Sequence, residues 1–268
     1  MPLRPKFREE MVSVVTTFLK DSVEQSGMDG VVIGMSGGLD SSIVAKLAAD
    51  ALGPDKVLGI FLPESSSSQE DAEHAEFYAR SLEIGFETIQ IDDMVKAARE
   101  AAGGSTDKVV LANMKARTRM IILYQRANSQ NRLVLGSGNK SELMVGYFTK
   151  FGDGGCDLLP IGDIYKTQIG EMAEFLGLPK EIIIKPPSAG LWEGQADEVE
   201  LGISYQELDS ILLGIELSMD DDDISERTNH PVSEVARIRS MVKRTAHKRK
   251  PPLIPKIGIK TIGLDWRE

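Results

Sequence analysis

The chain has 268 residues, 41% of them hydrophobic, a formal net charge of −10 and a single cysteine. It is long enough for one large α/β domain with a buried core, carries no apolar stretch of bilayer-crossing length, and opens on MPLRPKFREE without the apolar segment of a signal peptide. The acidic balance argues against a broad nucleic-acid footprint, which needs clustered Lys and Arg, and the lone Cys156 points to a reducing cytoplasm.

In chain order, Phe7, Met11, Val14, Val15 and Phe18 recur at helical spacing and predict a helix over residues 5–25. VVIGM (31–35) reads as a strand buried on both faces, followed by glycines, serine and a helix ending at Gly53-Pro54. A strand over 57–62 comes next, then a helix to about residue 82 with a capping box expected from Ser68 to Asp71. Strands are expected at 86–91 and 132–136, with helices at 94–101 and 109–128 between them. This alternation predicts an α/β fold, a doubly wound parallel sheet with flanking helices.

Beyond residue 152 the rhythm changes. A glycine-rich loop precedes a helix over 166–176, and residues 185–202 lack periodicity and read as a mobile loop. Ser204 and Glu207 suit a capping box, Asp220 to Asp223 read as a solvated acidic loop, and Pro231 fits the first turn of a helix running to Arg244. The chain is expected to form one domain over 1–268, with a helical extension from about residue 200.

The strongest chemical signal is Gly34-Met35-Ser36-Gly37-Gly38-Leu39-Asp40-Ser41, at a strand-to-helix switch. Glycines let backbone N–H groups turn towards a phosphate, and the helix start adds its positive dipole end. Ser36 and Ser41 supply hydroxyls. Asp40 would repel phosphate unless a Mg²⁺ ion bridges the two; otherwise it is a carboxylate welcome at a helix start. No GK[ST] follows, so this is no Walker loop, and the dinucleotide fingerprint spacing also fails.

The Ser-Gly-Gly-x-Asp-Ser string resembles the pyrophosphate loop of the N-type ATP pyrophosphatases, which adenylate an acceptor. Asn113 to Met120, Gly136 to Glu142, Gly146 to Gly154, Cys156 to Pro160, Lys166-Thr-Gln168, Leu201 to Tyr205 and His247-Lys248-Arg249 resemble the NAD synthetase family in particular. The Asn139-Lys140-Ser141 stretch is closer to archaeal-type members. The resemblance implies ammonia-dependent amidation of deamido-NAD at the expense of ATP, in a homodimer with the dinucleotide bound across the interface. It implies ATP binding by residues 34–41, Ser137, Lys166 and Ser188, and Mg²⁺ binding by Asp40 and Glu142. It further implies that Arg117, Lys150, Asp157, His247 and Lys248 hold deamido-NAD. Many bacterial members carry threonine at the positions of Ser137 and Ser188, so the hydroxyl is kept.

Each residue also has a plain structural reading. Arg117 suits a surface salt bridge, Asp157 a turn cap before Pro160, Glu142 a helix start, Lys150 open surface and His247 an exposed helix end. Cys156 lacks the partners of a glutaminase nucleophile, and a second domain for that chemistry is not expected in 268 residues. Trp192 suits either a ligand cover or local packing, and Trp266 sits near the end. Two rivals fit the phosphate loop: a tRNA-modifying adenylating enzyme, which would want a basic RNA-binding module, and a non-catalytic adenine-nucleotide sensor, which would lack the second acidic metal ligand.

Overall fold

The computed structural model describes residues 3–65, 67–188, 190, 192 and 194–261. Trp266 lies outside them. The first half of the chain alternates as expected: α1 (Glu10–Ser26), β1 (Gly30–Gly34), α2 (Leu39–Leu52), β2 (Val57–Phe61), α3 (Gln69–Ser81), β3 (Gly85–Thr88), α4 (Asp92–Ala101), α5 (Lys108–Ser129) and β4 (Arg132–Leu135). The sheet order is β3-β2-β1-β4 and every pairing is parallel. Strand side chains alternate between two cores. Val31 and Ile33 join Val15, Leu19, Ile43 and Leu47 on one face, whereas Val32, Ile60 and Val134 meet Met120 and Leu123 of α5 on the other.

The second part holds α6 (Lys140–Val145), α7 (Lys166–Phe175), α8 (Lys180–Ile183), α9 (Asp197–Leu201), α10 (Tyr205–Glu216), α11 (Asp221–Thr228) and α12 (Val232–Arg244). Leu208, Ile211, Leu212, Ile224, Val235 and Ile238 give α10, α11 and α12 a separate apolar core, which reaches α6 through Val145.

Several local expectations are corrected. Helix α1 begins at Glu10, not residue 5, and buries Val15, Leu19 and Val23, while Val14 and Phe18 are exposed. The preceding arm is instead tied to α7: Phe7 N–H donates to Glu171, Gln168 donates to the Lys6 carbonyl, and Phe7 and Phe175 rings lie 5.6 Å apart. Ser68 precedes α3 without the expected side-chain cap, and Asp71 turns its carboxylate to Lys185 instead of back to Ser68. Asp220 to Asp223 are not a loop: Asp220 caps α11 at Asp223 N–H and the others fill its first turn, where the helix dipole favours them. Pro231 stands one position before α12 rather than inside it, and the 185–202 stretch is not all loop, since it contains α9.

Candidate active site

The order of strand addition reverses at β1, which has β2 on one side and β4 on the other. In an open parallel sheet such a switch leaves a crevice at the carboxyl ends of the strands, where ligands bind. Here the crevice is lined by the loops after β1 and β4 and has a cavity volume of about 740 Å³.

The loop after β1 is shaped by its own serines. Ser41 Oγ accepts the Ser36 N–H and donates to the Gly38 carbonyl, while Ser42 Oγ donates to the same carbonyl at 2.8 Å. Ser41 is thus buried and spent on loop closure, whereas Ser36 is exposed towards the crevice. Gly37 has φ +70°, and a Cβ there would meet the Asp71 carbonyl at 2.5 Å, so only glycine fits. Helix α2 starts on Gly38 without a side-chain cap. Its first-turn N–H groups therefore suit an anion.

Asp40, Lys166 and Glu142 meet deep in the crevice. Lys166 Nζ donates to Asp40 Oδ2 and lies 4.0 Å from Glu142 Oε1. Burial pushes the Glu142 carboxyl up to about 8, with the neighbouring Asp40 charge adding to it. Burial alone would lower the Lys166 ammonium, but Asp40 and Glu142 outweigh it and raise it. Glu142 remains easily protonated beside Lys166, so the pair of carboxylates has room for a further cation. Among the described residues no group of three or more His, Cys, Asp or Glu converges as a metal cage. Two hard carboxylates completed by phosphate oxygens and water match the way Mg²⁺ is held with a nucleotide.

Two residues without an assigned role hold this arrangement. Asn139, fully buried, caps α6 by accepting the Glu142 N–H at 3.0 Å and donates to Asp40 Oδ1 at 3.3 Å. The Asn139-x-x-Glu142 capping box was readable in the sequence. Asp209 of α10, also fully buried, accepts from Ser141 Oγ at 2.5 Å and from the N–H and hydroxyl of Thr167. Ser141 Oγ in turn accepts the Lys166 N–H at 2.9 Å. One carboxylate therefore fixes the starts of both helices that carry Glu142 and Lys166.

The wall opposite is aromatic and acidic. Tyr147 donates to Asp197 and Glu200, and Tyr205 donates to Asp197 at 3.3 Å. Burial raises both phenols, helped by Glu200 and Asp197 at Tyr147 and by Glu142 and Asp197 at Tyr205, and both stay protonated donors. Ser137 and Ser188 line the cavity, and so does Trp192, whose ring lies 4.1 Å from Lys108 Nζ.

The remaining residues fall in three places. Lys248 lines the cavity, with its ammonium on the Gly146 and Phe148 carbonyls at 2.7 Å each. Arg117, Lys150 and His247 gather outside it: Arg117 donates to the Lys150 carbonyl and Lys150 Nζ to the His247 carbonyl. Asp157 stands apart at the edge of β4, where it accepts from Tyr124 at 2.8 Å and from the Val134 N–H at 2.7 Å. Cys156 is half-buried, and burial followed by Asp157 pushes its thiol up to about 11. Such a thiol is a poor nucleophile at neutral pH.

Comparison with known proteins agrees with this geometry. Residues 11–252 match the family model described as NAD synthase. A curated NH(3)-dependent NAD(+) synthetase of Methanocaldococcus jannaschii is 46% identical over 254 residues, covering 93% of this chain and 97% of its own. The structure of NMN synthetase from Francisella tularensis aligns with a TM-score of 0.81 at 36% identity, over 93% of this chain and 98% of that one. An NH3-dependent NAD synthetase from Campylobacter jejuni, in complex with nitrate, aligns at 0.79 with 31% identity, over 92% and 98% of the two chains. A match to the family model over most of the length, together with a glycine-rich loop at the switch point of a parallel sheet, makes this chain a member of the NAD synthase family.

Proposed function

We propose that the chain joins ammonia to the nicotinate carboxyl of deamido-NAD, consuming ATP and releasing NAD, AMP and pyrophosphate. The observation that carries this reading is the meeting of Asp40, Lys166 and Glu142 beside a glycine-rich phosphate loop, in a chain of this family. The nicotinate carboxylate attacks the α-phosphorus of ATP and pyrophosphate departs. Ammonia then attacks the acyl adenylate and AMP leaves with the former carboxylate oxygen. A free carboxylate is a poor acyl donor, and adenylation supplies the leaving group.

The residues contribute position and charge. Residues 34–41 cradle the phosphates with backbone N–H groups, and Ser137 and Ser188 present hydroxyls from the rim. Asp40 and Glu142 would hold Mg²⁺, which supplies a positive charge to the phosphate oxygens. Lys166, buried between them, counters charge as pyrophosphate departs. A cytoplasmic setting suits the lone cysteine, and no helix among the described residues is long and apolar enough to cross a membrane.

Arg117, Lys150, Asp157, His247 and Lys248 are proposed to hold deamido-NAD, with Lys248 in the cavity and the others beyond its rim. Their spread suits a long dinucleotide and a homodimer that encloses it. Val109, Val110, Ile121 and Phe151, on or near the same helix as Arg117, are exposed apolar side chains that a second copy would cover. Residues 1–268 would then act as one synthetase domain, with the helical extension from about residue 200 closing one wall of the site.

Lys248→Ala deprives two carbonyls of a charged donor and loosens the segment leading to Lys150. We expect the apparent constant for deamido-NAD to rise roughly tenfold, a loss of about 1.4 kcal/mol, with that for ATP changed much less. Steady-state titration of each substrate checks this; equal changes in both would return Lys248 to a general packing role.

The nitrogen donor is testable on the purified chain. Only uncharged ammonia is nucleophilic, so at fixed, subsaturating total ammonium the rate should climb with pH until another group titrates. Ammonium-free glutamine should not replace it, because burial and the neighbouring Asp157 charge raise the Cys156 thiol and leave it a poor nucleophile. NAD formation from glutamine at a comparable rate would contradict this part of the reading.

A further inference from the structure

The loop 34–41 recognises phosphate only if its peptide planes face the right way, and its Gly37-Gly38 bond is the least constrained of them. Glycine populates positive and negative φ almost equally, so this peptide can turn over at little intrinsic cost. One orientation aims the Gly38 N–H at an anion; the other would aim the Gly37 carbonyl oxygen at it. A trans peptide points these two groups in opposite directions. Something on the far side must therefore hold the carbonyl.

Lys185 lies there. Its Nζ donates to the Gly37 carbonyl oxygen at 3.2 Å and to Asp71 Oδ1 at 2.5 Å. The Gly38 N–H consequently faces the other way, towards Ser36 Oγ at 3.3 Å. Asp71 belongs to the first turn of α3, whose backbone also seals the loop from behind, since its carbonyl occupies the space a Gly37 side chain would need. Both Lys185 and Asp71 line the cavity and are only partly exposed, at 24% and 31% of their side chains.

We propose that Lys185, anchored by Asp71, is a positioning residue that fixes the Gly37-Gly38 peptide with its N–H towards the ATP phosphates. Resting on the ATP-using reading above, it assigns a role in ATP recognition to an ion pair between two segments remote in sequence. Lys185 acts here through the loop and not as a phosphate ligand, and that distinction sets the test. As a direct phosphate ligand, Lys185 would be held back by Asp71, and removing the Asp71 charge would strengthen ATP binding. As a tether, it needs Asp71, and removing that charge weakens binding.

The experiment is calorimetric titration of the full chain with Mg²⁺ and α,β-methylene-ATP, and separately with deamido-NAD. Lys185→Met should weaken the ATP analogue about tenfold and leave deamido-NAD within about twofold. Lys185→Arg should recover most of the loss, because a guanidinium can still reach both oxygens. Asp71→Asn should weaken the analogue several-fold, and the double variant should bind no worse than Lys185→Met, as expected of residues acting as one unit. Tighter analogue binding by Asp71→Asn, unchanged binding by Lys185→Met, or equal losses for both ligands would each overturn the proposal. If Lys185→Met fails to fold, Lys185→Arg and Asp71→Asn still decide between tether and ligand. Binding of the analogue by the unaltered chain without NAD formation would tell against the proposed reaction and leave this tether testable.

Discussion

Asp40→Asn is expected to lower turnover at least a hundredfold while leaving a folded protein. The substitution keeps the shape of the side chain and removes one of the two carboxylates proposed above to hold Mg²⁺. Electrostatic groups aimed at developing charge commonly contribute a hundredfold or more to turnover. The structure adds a second cost, because Asp40 also pairs with buried Lys166. Removing one partner of a buried pair is usually destabilising by roughly 3–5 kcal/mol. Glu142 lies 4.0 Å from the same ammonium and can take over part of the pairing, so the loss should be smaller. Pyrophosphate release and a thermal melt, measured on the same preparation, check both halves. Near-normal release by the folded variant would remove Asp40 from the proposed chemistry.

Asp209→Ala is expected to damage both stability and catalysis, although Asp209 touches no proposed substrate position. It leaves the Ser141 hydroxyl, the Thr167 N–H and the Thr167 hydroxyl without their acceptor. Each buried unsatisfied donor costs about 1–3 kcal/mol, so a loss of at least 3 kcal/mol is expected. For a chain of this size that corresponds to a fall in Tm of roughly 6–12 °C. At a temperature where the variant is still folded, kcat should fall further than either apparent substrate constant rises, because Glu142 and Lys166 lose their common support. Differential scanning calorimetry and steady-state kinetics check the two effects. A variant with normal Tm and normal kcat would contradict the bracing role of Asp209.

The sequence was most legible where several signals fall within a few residues. The glycine-rich loop 34–41 lies in a stretch that combines a buried strand, three glycines, three serines and a helix start between residues 31 and 45, and it stands at the strand-to-helix switch the sequence predicts. Ser204 and Glu207 likewise form the expected capping box. Residues whose role depends on distant partners were not legible. Asp209 is 68 positions from Ser141, and Lys185 is 114 from Asp71. Each reads locally as an ordinary helix or loop charge. Lys166 and Asp40 were both singled out through the family resemblance, yet their ion pair across 126 positions follows only from the fold.

Other differences have local causes. Val14 and Phe18 fit a helical spacing, but the i, i+4, i+8 row of Val15, Leu19 and Val23 is the buried one, on a helix packed against α2, and Val14 and Phe18 fall outside the core. The acidic run at residues 220–223 was read by charge alone, although aspartate at a cap and in a first helical turn stabilises a helix. Asp157 stands near a turn before Pro160, and its carboxylate reaches the Val134 N–H of β4 and the Tyr124 hydroxyl.

The acyl adenylate is the centre of this account, and an isotope experiment reaches it directly. Deamido-NAD labelled with ¹⁸O in both nicotinate carboxylate oxygens is turned over with ATP, Mg²⁺ and ammonium, and the products are examined by mass spectrometry. Attack of the carboxylate on the α-phosphorus requires one labelled oxygen to appear in AMP and the other to remain in the amide of NAD, with pyrophosphate unlabelled. Unlabelled AMP alongside labelled pyrophosphate, or labelled orthophosphate formed together with ADP, would contradict it.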